Sequence, residues 1–156
     1  MDWLYELITN RFLITGVASW FVAQVLKTII HAIINKKLVM ERLFGDGGMP
    51  SGHSATVTAL ATISALTFGF DSFQFAVTAL LAIIVCHDAM GVRLETGKQA
   101  QIINEMMEAF EVWTKKELPE VKLKEFVGHT PVQVLAGVFL GILAGCLMHF
   151  WVFPIF

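Results

Sequence analysis

Four stretches of the chain stay apolar for nearly the length a bilayer demands, about 20 residues: 12–34, 51–68, 73–92 and 131–153. The first is interrupted by Gln24, Lys27 and His31. The second is rich in Ala, Ser and Thr, which suits a helix enclosed by other helices. The polar turn Phe70-Asp71-Ser72 separates it from the third, which ends in His87-Asp88-Ala89-Met90-Gly91. The last carries Gly137, Gly141 and Gly145, with Trp151 near its end as an interfacial anchor. The intervening stretch 93–128 is polar, yet Ile102, Ile103, Met106, Met107, Phe110 and Trp113 recur in it at helical spacing. Glu105, Glu108 and Glu111 lie off that stripe, so the pattern predicts an amphipathic helix. It either lies in the membrane interface or, the preferred reading, packs on the bundle. Leu118-Pro119-Glu120 breaks it. The expected fold is all-α: a polytopic membrane helix bundle with about four transmembrane helices plus an amphipathic cytoplasmic-side helix. It forms one domain over 1–156.

Composition agrees. Of 156 residues, 56% are hydrophobic and only 15% charged, and mean hydropathy is +0.68. An ordinary soluble domain is far less apolar. A net charge of −2 gives no reason to expect a nucleic-acid partner. Cys86 and Cys146 sit inside apolar runs, outside any metal-ligand pattern, and read as small core residues rather than a disulfide. Residues 1–11 carry Asp2 and Glu6 in place of a basic leader, so no cleaved signal peptide is expected. With four spans, the segments 36–50 and 93–128 share one side and hold nine of the 11 basic residues. The positive-inside rule makes that side cytoplasmic. The glycines of the last span predict a close helix contact, internal by default, with a homodimer face as the alternative.

Candidate chemistry sits at two helix starts. Gly47-Gly48-Met49-Pro50-Ser51-Gly52-His53-Ser54 opens the second span and Gly128-His129-Thr130-Pro131 the last. Helix starts expose unpaired N–H groups and attract anions. Gly52 admits close backbone approach, Ser51 offers a hydroxyl, and His53 is a proton donor or acceptor near neutral pH. A serine cap followed by an exposed histidine accounts for the first motif equally well when taken alone. His129 precedes a capping Thr130 and a Pro131 suited to the first helical position; taken alone it reads more readily as a loop histidine beside a cap, and its pairing with the first motif shifts that reading. Lys27 lies well inside the first span, where a charge normally has a partner or a function. A phosphate, Asp88, or snorkelling towards Lys36 would each satisfy it. His31, one turn on, reads as an interfacial or packing residue. Asp88, Arg93 and Lys98 cluster where the third span leaves the membrane. Arg93 can grip phosphate as a fork, and Asp88 can orient a histidine or hold Lys27 or Arg93. Lys115, Lys116, Lys122 and Lys124 read as solvated surface near anionic headgroups.

These motifs resemble a known group. Pro50-Ser51-Gly52-His53 is similar to the second signature of the type 2 phosphatidic acid phosphatase superfamily, which also includes vanadium haloperoxidases. Gly128-His129-Thr130-Pro131 leading into Val134-Leu135-Ala136-Gly137 resembles the end of its third signature. With Gly47-Gly48-Met49-Pro50 and Asp88-Ala89-Met90-Gly91-Val92-Arg93, nearly the whole chain looks like the small divergent branch. The resemblance implies a metal-independent mechanism without a cofactor. His129 would attack phosphorus to give a phosphohistidine, and His53 would protonate the leaving oxygen. Ser51, Gly52, Lys27 and a basic residue would hold the equatorial oxygens. The chain departs from the pattern at three places: Ile34-Asn35 stand where the first signature has Arg-Pro, Lys122-Leu123 where the third has Ser-Arg, and Gln133 where it has Asp. Arg93, Arg42, Lys98 and Asp88 are the groups that would supply the missing functions. The implied activity is removal of phosphate from a membrane lipid, whether phosphatidate, phosphatidylglycerophosphate or an isoprenyl phosphate or pyrophosphate. The implied place is the cytoplasmic face of a bacterial plasma membrane. A non-catalytic lipid-phosphate binder or transporter, and a structural protein assembling through its last helix, are the alternatives.

Overall fold

The chain's structure, a computed structural model, describes residues 2–37, 47–115, 122–125 and 127–154. The described elements are all helical: α1 (Asp2–Ile8), α2 (Arg11–Asn35), α3 (Gly52–Phe68), α4 (Phe73–Met90), α5 (Val92–Thr114) and α6 (Pro131–Leu147). A π-helical turn, Met148–Val152, extends α6. Polar caps set the boundaries. The Asn10 side chain accepts from the Phe12 and Leu13 amides at 2.9 and 3.2 Å to start α2. Ser72 accepts from Phe75 at 3.2 Å to start α4. The α2 helix stops where Lys36 turns left-handed.

The bundle is arranged around α3, which packs against α2, α4 and α6. Its buried side is made of small residues, Ser54, Ala55, Ala59, Ala61, Ser64 and Ala65, with Ile63 the one large side chain. In lipid, apolar side chains gain nothing by leaving their solvent, so helices associate through close backbone contact and interhelical hydrogen bonds. Both occur here. Ser19 on α2 donates to the Ala55 carbonyl on α3 at 3.0 Å. A Cβ on Gly137 would stand 2.5 Å from the Ser51 carbonyl oxygen, and one on Gly141 2.5 Å from that of Ala55. The glycine stripe of α6 is therefore occupied by α3 within one chain. Internal packing is what it does, and the homodimer alternative loses that face.

The outer surface is apolar. Phe21, Ile33, Leu80, Ile83, Leu135 and Phe139 all point outward. Three helices are long and apolar enough to cross a bilayer: α2, α4 running into α5, and α6 with its π turn. The remaining predicted span, α3, has 17 residues and so is only about 26 Å long at 1.5 Å per residue.

The amphipathic helix differs from expectation in which side it buries. Gly97, Ala100 and Asn104 form the buried face of α5. The apolar stripe faces outward, with Ile102, Met106, Phe110 and Trp113 all exposed. The partner on the buried side is an extended strap, not an apolar groove, so small and polar residues fit it and bulky ones do not. The helix also ends earlier than expected, at Thr114, with Lys115 in the left-handed conformation. The expected break at Leu118-Pro119-Glu120 lies outside the described residues, as do Lys116 and Arg42.

Candidate active site

The two histidine motifs converge. The rings of His53 and His129 lie 6.2 Å apart, centroid to centroid, tilted by 57°. His129 is 4% exposed, whereas His53 is open to the surroundings. Two helix starts produce this meeting. The Ser51 hydroxyl caps α3 by accepting from the Ser54 amide at 3.3 Å. The Ser51 amide in turn donates to the Gln133 carbonyl in the first turn of α6, at 3.0 Å. The starts of α3 and α6 are thus tied by a backbone bond two residues from His53 and four from His129. Gly47 and Gly48 approach Ser51 with positive φ, and the Met49–Pro50 peptide is cis.

The strap that carries His129 runs antiparallel to α5. Asn104 pins its start: the side-chain amide donates to the Leu123 carbonyl at 3.0 Å and to Glu125 Oε1 at 2.7 Å. Its oxygen accepts from the Leu123 amide at 3.0 Å. Next, Gly97 lets the strap lie close, since a Cβ there would be 2.6 Å from the Val127 carbonyl oxygen. Gly128 then takes φ +87° against the backbone of Arg93 and Leu94, a conformation that favours glycine. Finally the His129 amide donates to the Ala89 carbonyl at the end of α4, 3.0 Å. Asn104 and Gly97 escape the sequence reading. The available signal is an asparagine inside a helix, where it is a poor helix former and stays only when its amide has work elsewhere.

Gln133 holds the imidazole. Its side-chain oxygen accepts from the Thr130 amide at 3.1 Å and lies 3.3 Å from His129 Nδ1. An amide oxygen accepts only, so this contact selects the tautomer with the proton on Nδ1. Nε2 then carries the lone pair. A neutral amide fixes orientation without the charge a carboxylate would add.

Two cavities lie beside the histidine motifs. One, of about 240 Å³, is lined by His53, Ile84, Val85, Asp88, Ala89 and Arg93. Arg93 Nε donates to Asp88 Oδ2 at 2.6 Å, with both side chains about half exposed. Of the partners considered for Asp88, Arg93 is bonded to it. The other, of about 250 Å³, lies towards α2 and includes Lys27, His31, Gly48, Met49 and Gln133. Lys27 is 5% exposed. Its stem crosses Gly48, where a Cβ would be 3.2 Å from Lys27 Cγ. The buried Nδ1 of His31 has no partner among the described residues.

The other expected site residues are placed as follows. Ser51 is fully buried as the α3 cap, and it also accepts from the Ser54 hydroxyl at 3.1 Å. Gly52 is buried against Trp20, whose Cδ1 would lie 3.4 Å from an added Cβ. Lys98 is not brought to the imidazoles. It pairs with Glu95 at 2.7 Å and lines a separate depression with Gly97, Gln101, Glu125 and Val127. Lys98 follows Arg93 by five residues on α5, a net rotation of about 140°, so the two point to different sides of the helix.

Comparison with known proteins gives the family. The model of the Divergent PAP2 family matches residues 8–144. A Bacillus subtilis (strain 168) protein named "Uncharacterized membrane protein YuiD" is 43% identical over 147 residues, covering 88% of this chain and 93% of its own length. No solved structure matches. With three apolar helices of spanning length, this is a membrane protein, and the chain belongs to the divergent PAP2 family.

Proposed function

We propose that the chain is a membrane-embedded phosphatase for lipid phosphates, acting through a phosphohistidine. The observation that carries this is the 6.2 Å approach of His53 and His129, with Gln133 setting the tautomer of His129. That gap suits one tetrahedral oxyanion touching both rings. His129 Nε2 attacks phosphorus while the bond from phosphorus to the lipid oxygen breaks. The bonding pair goes to that oxygen, which takes a proton from His53. Water then attacks the phosphohistidine and passes a proton to His53, while the P–N bond breaks with its pair returning to His129 Nε2, releasing inorganic phosphate. Lys27, the Ser51–Gly52 backbone at the start of α3, and Arg93 stabilise the charge on the equatorial oxygens. Arg93 reaches the phosphate by sharing its fork with Asp88.

The reading places α3 across the bilayer as a fourth, enclosed span. The starts of α3 and α6 meet at the histidines, and the end of α4 joins them through Ala89. These three ends share a side only if α3 and α4 each traverse the membrane. By the positive-inside rule that side is the cytoplasm of a bacterial plasma membrane.

Phosphate release from dioleoyl phosphatidate, phosphatidylglycerophosphate and undecaprenyl phosphate or pyrophosphate tests the proposal, with vanadate as competitor. Turnover that His129→Ala abolishes is expected. Release that survives His129→Ala overturns it. A second reading, a lipid-phosphate binder or transporter, is favoured by the neutral Gln133 beside His129 and by the internal Arg93–Asp88 pair. Vanadate-sensitive binding of these lipids without turnover supports that reading instead.

A further inference from the structure

We infer that the substrate's hydrocarbon tail leaves the site through the cleft of His53, Ile84, Val85, Asp88 and Arg93, and lies along the outer face of α4. This rests on the phosphatase reading and adds the side by which a lipid enters. Phosphoryl transfer places the attacking and leaving atoms roughly in line across phosphorus. The attacking ring is His129, backed by Gln133 on its Nδ1 side. The leaving oxygen therefore stands on the far side of phosphorus from Gln133, next to the proton on His53.

Only one of the two cavities meets that requirement. The cavity towards α2 is lined by Lys27 and Gln133 but not by His53, so it lacks the proton donor that the leaving oxygen needs. The cleft on α4 contains His53 and continues into Ile84 and Val85. Ile84 is 65% exposed, and Ala89 is the one buried residue on α4 among those described. The outer face of this helix is thus bilayer-facing, and the cleft opens sideways onto it. At about 240 Å³ the cleft holds the first part of a tail, with the phosphate at its His53 end. The remainder of the chain lies on the helix surface, among Ile84, Leu81 and Leu80, which are exposed in succession. The polar end of the cleft is lined by the Asp88–Arg93 pair, which keeps the charged headgroup at interface depth while the tail stays in hydrocarbon. The occupant is one acyl or isoprenyl chain of a phosphorylated lipid.

The test combines labelling with kinetics. A non-hydrolysable phosphonate analogue of dioleoyl phosphatidate, with a diazirine near its ester end, is photolysed with the wild-type protein in liposomes, and the labelled peptide is mapped. Label in residues 80–88 that excess dioleoyl phosphatidate removes is expected. Competed label on residues 30–35, the α2 side, overturns the inference, as does label in 80–88 that competitor leaves in place. This readout needs no turnover. Competed α4 labelling without phosphate release sinks the phosphatase reading alone, and release with α2 labelling sinks the tail route alone. In the active enzyme, Ile84→Trp should lower kcat/KM for dioleoyl relative to dibutyryl phosphatidate about tenfold, within the range expected for a changed apolar pocket. An unchanged ratio also overturns it.

Discussion

The Gln133 side chain makes two contacts, and they have separable consequences. Its oxygen caps the Thr130 amide and lies against His129 Nδ1. In Gln133→Ala the ring loses the group that orients it, and phosphate release should fall about 100-fold, the scale of an ångström's misplacement of a reacting group. Single-turnover release with a thermal-unfolding control measures this; a fall in stability without a fall in rate assigns Gln133 to capping alone. Gly128 is the other critical single position. Its φ of +87° and its contact with Arg93 and Leu94 leave no room for a side chain. Gly128→Ala should cost about 1–3 kcal/mol in backbone strain and displace His129, seen as a lower Tm together with lost turnover. His53, His129 and Lys27 could be picked from the sequence because charge and imidazole stand out in apolar runs. Ser51 and Gly52 stood out equally, but the structure spends them first on a cap and on the Trp20 contact. Local sequence cannot distinguish a serine that holds a helix from one that holds a ligand, since both offer the same oxygen to an N–H.

Helices here are positioned by contacts between backbones more than by side-chain bulk. The seam of α3 with α6 is built on Gly137, Gly141 and Gly145. Gly141→Leu forces its side chain into the Ala55 carbonyl and should destabilise by about 1–3 kcal/mol or more. Loss of the monodisperse peak in detergent and a lowered Tm would register it, whereas an unaltered Tm contradicts the seam. The strap on α5 is held by polar pairing. Asn104→Ala removes three hydrogen bonds and should cost about 1–3 kcal/mol. Hydrogen exchange is the direct measure, with faster exchange at Leu123 expected. That α5 is an amphipathic helix was readable from its period. Which face it buries was not, because the strap is extended chain whose position depends on residues thirty places away.

At the scale of the whole molecule, polarity is inverted relative to a soluble protein. Ser19, Gln24, Lys27, Ser54, Ser64 and His129 are buried while large apolar side chains cover the outside. This distribution puts Lys27 and His129 among buried polar groups, where each hydrogen bond counts for more. The proposed fourth crossing, by α3, makes a specific prediction. In a chain with Cys86 and Cys146 replaced by Ala, Thr9→Cys and Lys98→Cys should react with a membrane-impermeant maleimide from opposite sides of the membrane. Labelling of both from one side would mean that α3 does not cross.

The sequence by itself determined the medium and the candidate chemistry. Runs of apolar residues specify lipid because their period and length are local properties, and the two histidine motifs are contiguous in the chain. Tertiary structure alone decided that the imidazoles meet, that Lys98 turns towards the strap and pairs with Glu95, and that the α6 glycines serve α3 rather than a second copy. Those outcomes depend on packing between segments far apart in sequence, where a carbonyl such as that of Ala89 or Ala55 acts as a contact point. Every residue carries a carbonyl, so no pattern of side chains announces which of them will be used.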